Sequence, residues 1–185
     1  PRYARDAREV SVKRMGLYRS GRRRLLTVGD GDFSFSLALA RAFGGDGVVA
    51  TSYETRESLE SVYGESCART LEALAETGAT VAHGVDASAL DETLPEKCRG
   101  EKYDCVVWNF PCVARAADGT ATEAALNGFD ARSAEELEAN RALVESFVSG
   151  ASSYLVPEKG EIHIPPKVGM QCDWSISKAA SSCRS

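Results

Sequence analysis

Short apolar runs alternate with segments of helical periodicity along this chain, and no other feature limits its possible folds as sharply. Strands are expected at 24–28, 47–53, 80–85, 104–110 and 161–164, the fourth rich in β-branched and aromatic residues. Between and after them, helices are expected at 34–43, 57–76, 87–94 (a short turn), 134–155 and 174–180. A strand, a helix and a further strand in sequence require a crossover that lays the helix on a sheet face. The expected fold is therefore α/β, a Rossmann-like doubly wound, mainly parallel sheet with helices on both faces. The segment 112–133, rich in Ala, Gly, Asp and Thr, is the longest expected loop, and loops of that length usually carry function.

A chain of 185 residues with 43% hydrophobic and 26% charged residues can bury one domain-sized core without a disulfide or a metal staple. Its six cysteines form no Cys-x-x-Cys pair and only His83 and His163 can join them, so no metal site is expected. Cys105 lies in an apolar run, as a small buried hydrophobe would, which suits a reducing compartment. No apolar stretch is long enough for a membrane span. The net charge of −5 is unevenly spread: residues 1–24 hold nine of the 22 Lys and Arg against Asp6 and Glu9, leaving +7 on that segment and −12 on the rest. The chain accordingly divides into a basic arm, 1–24, and a domain, 25–185. Two readings of the arm stand side by side, contact with phosphate or a solvated targeting tail.

In sheets of this kind ligands sit beyond the carboxyl ends of the strands, so the residues after each strand carry the functional information. The first is followed by Gly29-Asp30-Gly31-Asp32-Phe33-Ser34. Gly29 and Gly31 permit a tight turn and close approach of backbone to ligand, and the next helix can offer free N–H groups to a negative group. The third glycine of a dinucleotide pattern is absent, and a plain strand-to-helix turn capped by Ser34 explains the same residues. Glu54, after the second strand, is placed to accept the ribose hydroxyls of an adenosine, in a nicotinamide dinucleotide or in S-adenosylmethionine, or else to cap a helix. Asp86, after the third, is placed to take an adenine amino group or to cap the short helix behind it.

The fourth strand end separates the cofactor classes. Trp108-Asn109-Phe110-Pro111 is similar to the Asn-Pro-Pro-aromatic signature of methyltransferases acting on nitrogen, and it lacks the His, Lys or Tyr that a dehydrogenase needs beside its nicotinamide. The structural alternative is a strand that ends at Asn109 and a loop that begins at Pro111.

Taken together, Leu25-Leu26-Thr27-Val28-Gly29-Asp30-Gly31-Asp32-Phe33-Ser34-Phe35-Ser36, Ala50-Thr51-Ser52-Tyr53, His83-Gly84-Val85-Asp86 and Asn109-Phe110-Pro111 resemble the uridine-N(3) methyltransferase family of large-subunit ribosomal RNA. The same domain also occurs fused to a ferredoxin-fold anticodon-binding domain. The resemblance implies S-adenosylmethionine as cofactor, with Gly29, Asp30, Gly31 and Phe33 around its methionine end, Glu54 at the ribose and Asp86 at the adenine. It places Asn109, Phe110 and Pro111 at the target base, with Phe110 or Trp108 to stack on it. It implies ribosomal RNA or a ribosomal particle as partner, and a nucleolar or nuclear location, alternatively a mitochondrial one. The sequence departs from the family at Cys112, where a His is usual, and at Pro165-Pro166, where a Thr-Leu-Lys-like segment is usual. The sheet is also expected to lack the last two strands of a full methyltransferase sheet. Those departures keep open a domain with impaired chemistry that serves as a ribosome-associated or RNA-binding part. Methylation of a protein or small molecule, or a nicotinamide-dependent reaction, stands further back.

Overall fold

The structure, a computed structural model, describes residues 14–15, 18–19, 24–113 and 134–165. Five strands, β3 (Leu25–Val28), β4 (Val48–Thr51), β5 (Thr80–Ala82), β6 (Cys105–Trp108) and β7 (Glu161–His163), pair throughout in parallel in the order β5-β4-β3-β6-β7. The chain builds outward from β3 to β5, then returns to the other side of β3 for β6. That reversal between β3 and β6 is the point at which an open α/β sheet leaves a crevice at its carboxyl edge.

The central strands read as continuous apolar runs because both faces are covered. On β3 and β6, Leu26, Val28, Val106 and Trp108 point into one core, and Leu25, Cys105 and Val107 point into the other. The first core is closed by Val144, Phe147, Val148 and Ala151 of a long helix (Ala134–Ser152), with Leu90 and Cys98 from two short helices (Leu90–Thr93 and Glu96–Arg99). The second is closed by α1 (Ser34–Phe43), which contributes Leu37, Leu39 and Ala40, and by Cys67, Leu71 and Leu74 from the helix Glu65–Glu76.

In chain order the helices are α1, α2 (Arg56–Tyr63), α3 (Glu65–Glu76), α4 (Leu90–Thr93), α5 (Glu96–Arg99) and α6 (Ala134–Ser152). The single helix expected at 57–76 is two, broken at Gly64, whose φ of 62° and ψ of −151° suit only a residue without Cβ. Thr55 starts α2 by accepting the Ser58 N–H at 3.2 Å. Four strands are shorter than expected at their carboxyl ends; beyond Thr51, Ala82 and Trp108 the chain turns to line a cavity, and β7 stops one residue early at His163. Helix α5 was not anticipated, nor was a small antiparallel hairpin of β1 (Arg14–Met15) and β2 (Tyr18–Arg19). The helix expected at 174–180 lies outside the described residues. Among the described residues no helix is long and apolar enough to cross a membrane.

Phe147 ties the core to the carboxyl edge: fully buried on α6, it meets Trp108 edge-on with ring centroids 4.8 Å apart at 72°. Phe147→Ala is expected to cost about 3–5 kcal/mol in urea denaturation, and Phe147→Leu clearly less, since the leucine refills most of the cavity.

Candidate cofactor and target-base site

A cavity of about 320 Å³ opens at the carboxyl edge over the β3/β6 reversal, within the size range of small-molecule sites. Four strand ends wall it: Gly29 and Gly31 after β3, Tyr53 and Glu54 after β4, Asp86 and Ser88 after β5, and Asn109 and Phe110 after β6. Leu143 of α6 and Cys112 close its apolar side. Of the residues singled out in the sequence, Gly29, Gly31, Glu54, Asp86, Asn109 and Phe110 thus come together. Asp30, Phe33 and Pro111 are not part of this lining.

The loop after β3 is held by its own carboxylates. Gly29 has φ 63°, and a Cβ there would lie 2.6 Å from Trp108 Nε1. The glycine is required by the neighbouring strand end before any ligand is considered. Asp30 donates its N–H to the Thr51 carbonyl at 3.0 Å, and its Oδ2 accepts the Ser36 N–H at 2.8 Å and the Ser36 hydroxyl at 2.5 Å. The Ser36 hydroxyl also meets the Thr27 hydroxyl at 2.7 Å, fastening loop and α1 to β3. Ser34 is the first residue of α1 rather than its cap: Phe33 stands at the cap position with no side-chain cap bond, and Asp32 before it accepts the Ser34 N–H at 3.0 Å and hydroxyl at 2.6 Å. The N–H groups of Ser34 and Ser36, expected to be free for a ligand, are therefore already occupied. Phe33 takes φ 60° and buries its ring completely, edge-on to His83 at 5.2 Å, so its side chain supports the loop from below.

The two acids at the other strand ends each hold one local serine and keep an oxygen for something else. Glu54 Oε2 accepts the Ser58 hydroxyl at 2.9 Å, while Asp86 Oδ1 accepts the Ser88 N–H at 2.8 Å and hydroxyl at 2.6 Å. The remaining oxygens, Oε1 and Oδ2, have no hydrogen-bond partner among the described residues. No Lys, Arg or His lines the cavity among the described residues. Tyr63, unnoticed in the sequence, ends α2 directly over the glycine loop: a Cβ on Gly31 would sit 3.0 Å from its hydroxyl. Burial, followed by the negative charge of Asp32, pushes that phenol above its ordinary pKa, so it stays a neutral hydrogen-bonding group.

After β6 the chain turns sharply. Phe110 adopts φ 52°, costly for a residue with Cβ, and is held there by its N–H donating to the Pro165 carbonyl at 3.1 Å. Its ring is 45% exposed, whereas Trp108 is buried, so of the two aromatics Phe110 is the one open to an incoming base. The Asn109 amide lines the cavity and has no hydrogen-bond partner among the described residues. Pro111 is buried behind the turn. Burial pushes the Cys112 thiol up to about 12, so it is protonated at neutral pH. Asn140 of α6, also missed, accepts the Val113 N–H at 2.7 Å and so fixes the segment that follows. Both Tyr63 and Asn140 act across long sequence separations that local patterning does not report.

This lining fits S-adenosylmethionine. The carboxylate oxygens left over on Glu54 and Asp86 at adjacent strand ends suit ribose hydroxyls and an exocyclic amine, and these two acids, the charged residues of the described lining, suit a sulfonium.

Burial raises the Asp30 carboxyl above its ordinary pKa, against the opposing pull of its bonds from Ser36. A carboxyl whose pKa is higher in the fold than in the unfolded chain favours the fold most below its unfolded value, near 4, and that advantage is lost as pH rises through the folded value. Asp30→Asn keeps an acceptor for Ser36 and abolishes the titration. Its stability relative to the native chain should therefore increase from about pH 4 to about pH 7 in parallel urea titrations, and a constant or shrinking difference would refute the assignment.

Residues 26–184 match the family described as rRNA (uridine-N3-)-methyltransferase BTM5-like. The chain is 31% identical over 179 residues to Heavy metal-associated isoprenylated plant protein 41 of Arabidopsis thaliana, an alignment covering 95% of this chain and 30% of that protein. It is 31% identical over 172 residues to an uncharacterized protein of Arabidopsis thaliana, covering 92% of this chain and 75% of the relative. It is 33% identical over 144 residues to the Ferredoxin-fold anticodon-binding domain-containing protein 1 homolog of Mus musculus, covering 77% and 19%. The chain thus spans less than a third of the length of the first and third of these relatives. The matched span takes in the five strands of the central sheet except Leu25 and every described residue of the cavity lining. The chain belongs to the rRNA (uridine-N3-)-methyltransferase BTM5-like family.

Proposed function

We propose that this chain, with residues 1–24 as a basic arm and 25–185 as the catalytic domain, transfers the methyl group of S-adenosylmethionine to a ring nitrogen of a uridine in ribosomal RNA. The observation that carries the reading is Asn109, whose unpartnered amide lines the cavity beside the exposed ring of Phe110. An amide with spare donor and acceptor capacity matches the imide edge of uracil, where an N–H lies between two carbonyls. Glu54 and Asp86 in the described lining support the same cofactor, and a nicotinamide dinucleotide is disfavoured because the Ser34 and Ser36 N–H groups of α1, where its pyrophosphate would sit, are already taken by Asp32 and Asp30.

The sulfonium supplies an already activated methyl group, so the protein's task is alignment. Glu54 Oε1 accepts from the ribose hydroxyls and Asp86 Oδ2 from the adenine amino group. The Gly29–Gly31 turn, under the Tyr63 hydroxyl, borders the methionine end. Asn109 Oδ1 accepts the imide N–H and orients that nitrogen toward the methyl group, and Phe110 stacks on the ring. The imide proton passes to solvent as the nitrogen takes the methyl group. A paired uridine hides this edge, so the substrate presents the base unpaired or flipped. The partner is ribosomal RNA or a ribosomal particle, which places the protein where that RNA is made or held, in nucleolus or nucleus, alternatively in the mitochondrion.

Asn109→Ala removes the acceptor and leaves the turn at Phe110 in place. Methyl transfer to unmodified ribosomal RNA should fall by roughly a hundredfold or more, with cofactor affinity nearly unchanged by calorimetry. Failure of the unmutated protein to move a labelled methyl group onto any ribosomal RNA would sink the catalytic reading in favour of a structural, RNA-bound part. Glu54→Ala tests the cofactor half separately, with an expected loss of about 1–3 kcal/mol in S-adenosylmethionine affinity. Unchanged affinity would remove Glu54 from the site.

A further inference from the structure

The first N–H groups of α1 are filled from within the loop, Ser34 by Asp32 and Ser36 by Asp30, so they do not receive the amino-acid end of a cofactor. That end is a zwitterion and calls for a donor to its carboxylate and an acceptor from its ammonium. Both stand beside Gly31.

Gly31 lines the cavity, yet its φ lies outside the left-handed region, so its backbone does not call for a glycine. What the missing side chain leaves room for is Tyr63: a Cβ on Gly31 would lie 3.0 Å from the phenol oxygen and 3.7 Å from Cζ. The break at Gly64 is what ends α2 at this point. Helix α2 starts directly after Glu54, whose Oε2 takes the Ser58 hydroxyl, and it finishes at the glycine loop. It therefore runs from the ribose side of the cavity to the other end. Leu59 is its only buried residue, and the Tyr63 ring is 46% exposed, so packing against a core does not account for the aromatic.

The Tyr63 hydroxyl makes no hydrogen bond among the described residues. Burial, and next the charge of Asp32, keep it protonated and hence able to donate. Asp32 spends Oδ1 on both bonds from Ser34, leaving Oδ2 without a partner among the described residues. A neutral donor and a carboxylate thus flank one glycine at the rim of the cavity, as the complement of an α-amino acid.

We propose that Tyr63 and Asp32 clamp the amino-acid end of S-adenosylmethionine, the Tyr63 hydroxyl donating to its carboxylate and Asp32 Oδ2 accepting from its ammonium. The identity of the ligand rests on the methyl-transfer reading above; the placement of donor and acid at Gly31 does not. With Glu54 and Asp86 holding the adenosine and this clamp holding the opposite end, the sulfonium between them is fixed in orientation, its methyl group toward Asn109.

The test is calorimetry on the full chain with S-adenosylmethionine, S-adenosylhomocysteine, decarboxylated S-adenosylmethionine and methylthioadenosine. Tyr63→Phe, which keeps the ring and removes the donor, should weaken the first two by about tenfold and leave the last two unchanged. Asp32→Asn, which keeps an oxygen for Ser34, should weaken the first three by about tenfold and spare methylthioadenosine, which carries neither group. Native affinity for methylthioadenosine in both variants separates loss of the clamp from loss of fold. In methyl transfer to ribosomal RNA, Tyr63→Phe should raise KM for the cofactor with kcat nearly kept. If Tyr63→Phe weakens every ligand alike, weakens none, or weakens only those that carry the sulfonium, the carboxylate assignment is overturned. An Asp32→Asn variant with native affinities overturns the ammonium assignment. Unmutated protein that binds methylthioadenosine as tightly as S-adenosylmethionine removes the clamp and leaves the adenosine site standing; binding of none of these ligands removes the cofactor reading and the clamp with it.

Discussion

The site depends on how closely β3 and β6 approach at their carboxyl ends. A Cβ at Gly29 would lie 2.6 Å from the Trp108 indole nitrogen, so the turn after β3 and the end of β6 fit together only because residue 29 has no side chain. Trp108 is in turn fixed from behind by Phe147. Given that contact, the glycine loop and the Asn109–Phe110 turn must face one another across a single crevice. Separate those strand ends by the width of one methyl group, and the candidate cofactor half and the target half of the cavity no longer share a wall.

A polar chain carries the same constraint into α1. Thr51 donates its hydroxyl to the Thr27 carbonyl, Thr27 meets Ser36, and Ser36 binds the Asp30 carboxylate. Burying that acid is unfavourable, as its raised pKa records, and the bonds from Ser36 offset only part of the cost. What the arrangement supplies is position: Asp30 and Asp32 consume the first N–H groups of α1 and lock the loop before any ligand arrives. A loop ordered in advance has less entropy to lose on binding, which favours affinity without adding a single contact.

Much of this was legible in the sequence, for identifiable reasons. The bounds expected for α1 are those observed, because a glycine-and-aspartate turn precedes it and Gly44 follows it. The sheet class followed from alternation alone, and the strand ends pointed to the cavity through Gly29, Glu54, Asp86 and Asn109. The overruns have a common cause. Residues such as Asn109 and Phe110 keep strand-like company, yet Phe110 sits at φ 52°, a conformation that composition does not signal. Gly64 lies inside the single helix expected at 57–76, whereas its backbone adopts angles that end α2. The hairpin has strands too short to show any period. Tyr63, Asn140 and Pro165 act at positions 31, 113 and 110, and only the folded chain brings those pairs together.

The uneven charge of the chain acquires a physical role once the cavity is in view. The described lining of the cavity, in which Glu54 and Asp86 are the charged residues, favours a sulfonium over a phosphate backbone. A single uniformly basic domain would bind RNA well and a sulfonium poorly; a uniformly acidic one would do the opposite. Placing +7 on the first 24 residues and −12 on the remainder separates the two charges along the chain.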